Sequence, residues 1–137
     1  MRLLPLGAAL VAVLALPISA PVASANPVPA PPYVEHVEWA KWGDLSSLRV
    51  YPTQSARLAA RQLGTDAQAE AAWTEVLTLS PDADIPGMRE QFVCHWRFAE
   101  FGEPGKTSWN LEPWRPEVPF EEMVAAGCNP GGTEEPF

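Results

Sequence analysis

Apolar and polar positions along the chain alternate in short blocks that predict a mixture of strands and helices. Val37 and Trp39 fall on one side of the segment 34–42, Glu38 and Ala40 on the other, the pattern of a strand. Leu48, Val50 and Pro52 alternate with Arg49 and Tyr51, a second short strand that Pro52 ends. Thr53 is placed to cap a helix over Gln54 to Leu63, with Gly64 as its stop. Thr65-Asp66-Ala67-Gln68 matches a capping box, and the helix it opens runs to about Leu79 with Ala69, Trp73, Val76 and Leu77 on one face. Asp82 to Gly87 reads as a loop. Phe92, Cys94, Trp96 and Phe98 alternate with Val93, His95 and Arg97, and Thr107, Trp109 and Leu111 alternate with Lys106, Ser108, Asn110 and Glu112. These two segments predict a hairpin with an apolar inner face and a polar outer face. A turn near Gly102-Glu103 would set His95 opposite Asn110; one on Pro104-Gly105 would set Arg97 opposite Glu112. Pro119 to Ala126 reads as a last short helix with Gly127 after it. The expected class is α+β: a small antiparallel sheet with two or three helices on one face.

The flanks do not belong to this domain. Arg2 precedes an apolar run, Leu3 to Leu16, and Ala23-Ser24-Ala25 offers small residues for signal peptidase, so 1–25 is read as a signal peptide cut before Asn26. The run is shorter than the ~20 residues a bilayer span needs, so no transmembrane segment is expected in the mature form. Residues 26–32 hold four prolines and predict an extended spacer. A single domain is expected over 33–130, and a flexible tail over 131–137. The mature chain of 112 residues is long enough to bury roughly two-thirds of its unfolded surface.

Charge then narrows the partners. The net charge is −8, and −9 once Arg2 leaves with the leader, so a nucleic-acid partner is disfavoured. At 47% hydrophobic and 19% charged residues, the chain is not a disordered acidic segment. Cys94 and Cys128 are its two cysteines, and export to an oxidising compartment favours a disulfide between them. That bridge would staple the last helix against the buried face of the hairpin.

Candidate chemistry is sparse. There is no C-x-x-C, no G-x-S-x-G and no glycine-rich phosphate loop, and Asp82-x-Asp84 lacks the remaining ligands of a calcium loop. No metal or cofactor is expected. His95, Glu112 and Lys106 are the candidates for acid–base chemistry and charge stabilisation, with Arg97 as an alternative cation. Asn110, Trp114 and Arg115 are the candidate binding residues. Of the six tryptophans, Trp73, Trp96 and Trp109 are assigned to the core, while Trp114, between Pro113 and Arg115-Pro116, is a candidate contact residue.

The strings Gln91-Phe92-Val93-Cys94-His95, Lys106 to Pro116 (K-T-S-W-N-L-E-P-W-R-P) and Cys128-Asn129-Pro130 resemble a family of small secreted actinobacterial proteins, mycobacterial ones included, that carries a domain of unknown function. The segments Val37-Glu38-Trp39 and Leu48 to Thr53 fit it as well. Ala56 stands where that family suggests a glycine, which makes this turn more helical. The resemblance implies export and a cysteine pair, and implies no activity. The reading is therefore an uncharacterised exported protein. It favours a non-enzymatic domain binding an unidentified envelope or extracellular partner through the polar hairpin face and Asn110 to Pro116. The alternative is a small secreted hydrolase or toxin-like nuclease using His95 and Glu112.

Overall fold

The structure, a computed structural model, describes residue 7, residues 11–21 and residues 26–132. The n-region, the Ala23–Ala25 cut and tail residues 133–137 lie outside the described residues. Strands β1 (Val34–Trp42) and β2 (Leu45–Pro52) form an antiparallel hairpin around Gly43-Asp44, with Val37 opposite Val50 and Trp39 opposite Leu48. Helix α1 (Gln54–Ala60) follows at once, because the Thr53 hydroxyl accepts the Ala56 N–H at 3.1 Å and donates to the Pro32 carbonyl at 2.7 Å. Helix α2 (Asp66–Leu79) begins where the capping box suggests, but Thr65 does not cap it. Its hydroxyl lies 3.2 Å from the carbonyls of Ala59 and Gln62 and accepts the Trp96 indole N–H at 3.0 Å. A short 3-10 turn (Pro81–Ala83) leads to helix α3 (Met88–Gly102), then strand β3 (Trp109–Leu111) and helix α4 (Phe120–Ala125). The sheet order is β1-β2-β3, and the class is α+β, as expected.

One element differs in kind. The segment Phe92–Phe98, expected as a strand, lies inside α3, so neither of the two hairpin registers exists. Met88, Phe92, Trp96 and Glu100 recur every fourth residue, with Gln91 and His95 beside them, and all six are buried. That 3.6-residue period needs the full helix to emerge; over seven residues an alternating pattern fits equally well, and Phe and Trp favour strands. Strand β3 pairs instead with β2, setting Leu111 opposite Leu48 and Asn110 opposite Arg49. Trp109 and Leu111 face the core as expected. Ser108, Asn110 and Glu112, expected to be solvated, are buried as well. The chain after β3 crosses back over them: Trp114 donates to the Ser46 carbonyl at 2.9 Å and Arg115 to the Pro130 carbonyl at 3.3 Å.

The core is built around aromatic rings. Trp96 meets Trp109 edge-on with centroids 6.1 Å apart, and Phe92 lies 6.0 Å from Trp109 and 5.7 Å from Trp73. Tyr33 packs edge-on against Trp96 at 5.4 Å, and its hydroxyl donates to the Pro29 carbonyl at 2.8 Å, so the proline spacer is tied to the domain at its end. Cys94, Met123 and Cys128 form a separate small cluster under α4, with Val118 and Phe120 against it.

Helix α3 is fastened to α1 by one buried carboxylate. Glu100 accepts from Arg57 and Arg61 at 2.7 Å each and from the Gly105 N–H at 3.3 Å. Burial alone would push its carboxyl up, but the Arg57 and Arg61 hydrogen bonds outweigh that cost and hold it below the ordinary range. A carboxyl titrating lower in the folded than in the unfolded chain stabilises above the unfolded value of about 4.3, and that contribution fades as pH falls through the folded value. Glu100→Gln should therefore cost about 2–4 kcal/mol at neutral pH. Urea titrations of both proteins between pH 7 and 3 should show the gap closing at the acid end; a gap independent of pH would refute the assignment.

Candidate functional site

Helix α3 turns its second half toward the C-terminal segment, and a cleft of about 360 Å³ opens between them. Its walls are His95, Phe98 and Ala99 on α3, Glu103 and Lys106 on the turn beyond, and Val124, Cys128 and Asn129 at the end of α4. Each wall is fixed. The Cys94–Cys128 disulfide joins α3 to the residue after Gly127, with Cα atoms 5.6 Å apart. Gly127 (φ +60°) and Cys128 (φ +68°) are both left-handed, which reverses the chain out of α4; the Cys128 N–H donates to Met123 and the Asn129 N–H to Ala126. On the other side, Arg57 bridges Glu100 and the Lys106 carbonyl, donating 2.7 Å bonds to each, so the buried carboxylate also sets the turn that carries Lys106.

His95 is buried, and its Nδ1 lies 2.7 Å from the Gln91 carbonyl. A carbonyl only accepts, so Nδ1 holds a proton whichever charge state the ring adopts. Lys106 has a side chain 20% exposed, with Nζ 3.8 Å from the solvated Glu103 carboxylate. Among the described residues, the cleft lining combines apolar surface from Phe98, Ala99 and Val124 with the polar side chains of Lys106, Glu103, His95 and Asn129.

The other sequence candidates lie elsewhere. Glu112 is fully buried; Arg115 donates to its Oε1 at 3.1 and 3.3 Å, and the Ser47 hydroxyl to its Oε2 at 3.2 Å. The Gln91 side-chain amide pairs with both main-chain groups of Glu112, at 2.8 and 2.9 Å, as a neighbouring strand would. Asn110 is buried and accepts from Ser108 at 2.7 Å. Trp114 alone of the candidate binding residues reaches solvent, at 37% exposed, with the Arg115 guanidinium 4.4 Å from its ring centroid. Of the six candidates, His95 and Lys106 share the cleft, Glu112, Arg115 and Asn110 form a buried polar layer, and Trp114 stands at the surface above it. Glu100, Arg57 and Gln91 carry structural roles that the sequence reading missed. Arg57 and Arg61 stand one helical turn apart, but nothing local ties them to a carboxylate 43 and 39 residues away.

Among the described residues no group of three or more His, Cys, Asp or Glu side chains is placed to hold a metal ion. No helix among them is long and apolar enough to cross a membrane.

Residues 34–131, which take in every strand and helix and all of the cleft, match the family described as "Protein of unknown function (DUF2599)". The chain belongs to the DUF2599 family. It is 62% identical over 112 residues to the uncharacterised protein Rv0477 of Mycobacterium tuberculosis, a match that covers 82% of this chain and 75% of that one. An uncharacterised Mycobacterium bovis protein, Mb0487, matches to the same extent. The uncharacterised protein ML2452 of Mycobacterium leprae is 50% identical over 109 residues, covering 80% of this chain and 88% of its own. The family resemblance read from the sequence therefore holds. No solved structure matches the DUF2599 fold described above.

Two measurements check the scaffold. Removing the disulfide by Cys94→Ala with Cys128→Ala should lower stability by about 3–4 kcal/mol, the chain-entropy value for a loop of 34 residues. Glu112→Gln should cost about 3–5 kcal/mol in urea unfolding by leaving Arg115 buried without its carboxylate, whereas Glu112→Gln with Arg115→Met should recover part of that loss.

Proposed function

We propose that this DUF2599 protein is an exported, non-enzymatic binding domain that acts at the cell envelope or outside the cell, and that its contact site is the cleft between α3 and the end of α4. Two sequence features support export: the apolar run after Arg2 and the small residues Ala23-Ser24-Ala25. The cleft itself carries the binding reading. Its volume falls within the ~300–1,000 Å³ of small-molecule sites, and its walls mix apolar surface with a few polar groups. A disulfide on one side and the Glu100 clamp on the other preform it, so little ordering entropy is lost on binding.

This moves the contact surface away from the 110–116 segment, where Asn110 and Arg115 are engaged inside the protein. The hydrolase alternative needs His95 and Glu112 on one substrate. Glu112 is not among the residues lining the His95 cleft, and its carboxylate is held by Arg115 and Ser47.

Mass spectrometry of culture filtrate should find a mature chain beginning at Asn26 with both thiols blocked to alkylation. Amide NMR spectra of that chain, titrated with a set of fragment-sized organic acids, alcohols and amines, should shift saturably at residues 95–106 and 124–129. Shifts centred on Trp114, or none at millimolar concentrations, would overturn the assignment of the cleft.

A further inference from the structure

We infer that the Cys94–Cys128 disulfide is a thiol-exchangeable latch: its reduction by a low-molecular-weight thiol releases residues 117–129, α4 included, from α3 and removes one wall of the cleft, while the rest of the domain stays folded. The consequence for binding rests on the cleft being the contact site; the release of α4 does not. The segment is built as a loop with pinned ends. The buried Arg115 donates to the Pro130 carbonyl at 3.3 Å, the Pro130 side chain is fully buried, and Gly131 lies so near Pro116 that a Cβ there would stand 2.6 Å from its ring. Between those ends the non-covalent hold is slight. Helix α4 has six residues, too few to be stable by itself, and Met123 is its one buried residue. Met123 packs with Cys94 and Cys128 in a cluster separate from the aromatic core, with Val118 and Phe120 only partly buried against it. The Arg97 guanidinium lies 5.0 Å from the Phe120 ring centroid, but Arg97 is itself exposed and shared with Asp66.

Three depressions border the segment. Val124, Cys128 and Asn129 line the cleft itself, Phe120 lines a second hollow beside Asp66 and Arg97, and Val118 and Met123 line a third beside Gly87 and Glu117. In those hollows α4 and its flanks lack close packing, so the covalent tie carries a large share of the attachment. The bridge also helps to hold a costly backbone. Cys128 is the one non-glycine residue among those described with a left-handed φ, at +68°, a conformation that persists only where its surroundings impose it. Once the sulfurs part, chain entropy and that backbone cost both favour release. The chemistry needs only thiols. A thiolate RS⁻ attacks one bridge sulfur, forms a mixed disulfide with it and expels the other cysteine as its thiolate. A second RS⁻ then attacks the thiol-derived sulfur of the mixed disulfide, giving RSSR and freeing the second cysteine thiolate. The bridge gains two electrons, and the two thiols lose them. Cys94 is fully buried and Cys128 lines the cleft, which favours a thiol small enough to enter the cleft over a protein-sized one.

The test compares the oxidised mature protein with the same protein in excess reduced glutathione, by NMR. Reduction should leave the dispersed amide shifts of β1, β2 and α3 in place. Across residues 117–129 it should move carbon shifts to random-coil values and lower backbone order parameters from about 0.85 to below about 0.6. Alkylation and mass spectrometry of the same sample verify that the bridge is open, and reoxidation should restore the original spectrum. Cys94→Ala with Cys128→Ala should reproduce the reduced spectrum with no thiol present; should that variant fail to fold, the glutathione titration of the unaltered chain stands without it. A rigid 117–129 segment with the bridge open would overturn the latch, and so would loss of the whole fold on reduction. The link to binding is read with benzoate, benzyl alcohol and benzylamine. Any of them that shifts residues 95–106 and 124–129 saturably in the oxidised protein should bind the reduced protein at least about tenfold more weakly. Release of 117–129 with binding unchanged, or with none in either state, would overturn the cleft as the contact site and leave the latch standing.

Discussion

A polar group that folding removes from water costs stability unless it finds a partner inside the protein, and α3 brings four such groups into the interior. Gln91 pairs with the main chain of Glu112, His95 with the Gln91 carbonyl, the Trp96 indole with Thr65, and Glu100 with Arg57 and Arg61. These partners lie on the end of β3, on α3 itself, on the α1–α2 connection and on α1. Satisfying one helix therefore fixes where its neighbours sit. The aromatic cluster supplies most of the apolar contact around α3, but rings of similar size tolerate shifts that hydrogen bonds do not. The polar partners pin the register of α3 against the sheet.

The same requirement explains what was legible in the sequence. Elements set by local rules were read correctly: the alternation of β1 and β2, the Thr53 cap, the start of α2 and the proline-led α4. Helix α3 was not, because seven of its residues satisfy two periods at once, and the groups that decide between them bond to residues dozens of positions away. Thr65 shows the conflict in one side chain. Its spacing to Gln68 is that of a cap, yet its hydroxyl is taken by the Trp96 indole, a tertiary bond that no local pattern announces. The polar row of β3 failed in the other direction. Alternation predicts which way side chains point, but not that a later segment covers the polar face, and Glu112 with Arg115 makes that covering tolerable.

The candidate residues divide along the same line. His95 and Lys106 were singled out as neighbours on the face of a hairpin that does not form. They meet because the end of α3 and the turn after it bound one cleft. Residue type carried that part of the reading, and the geometry invoked for it was wrong. Glu112 and Arg115 look reactive in sequence, but both are buried, ion-paired with each other and withdrawn from solvent. Exposure separates the two uses of charge here, and exposure is a property of the tertiary fold.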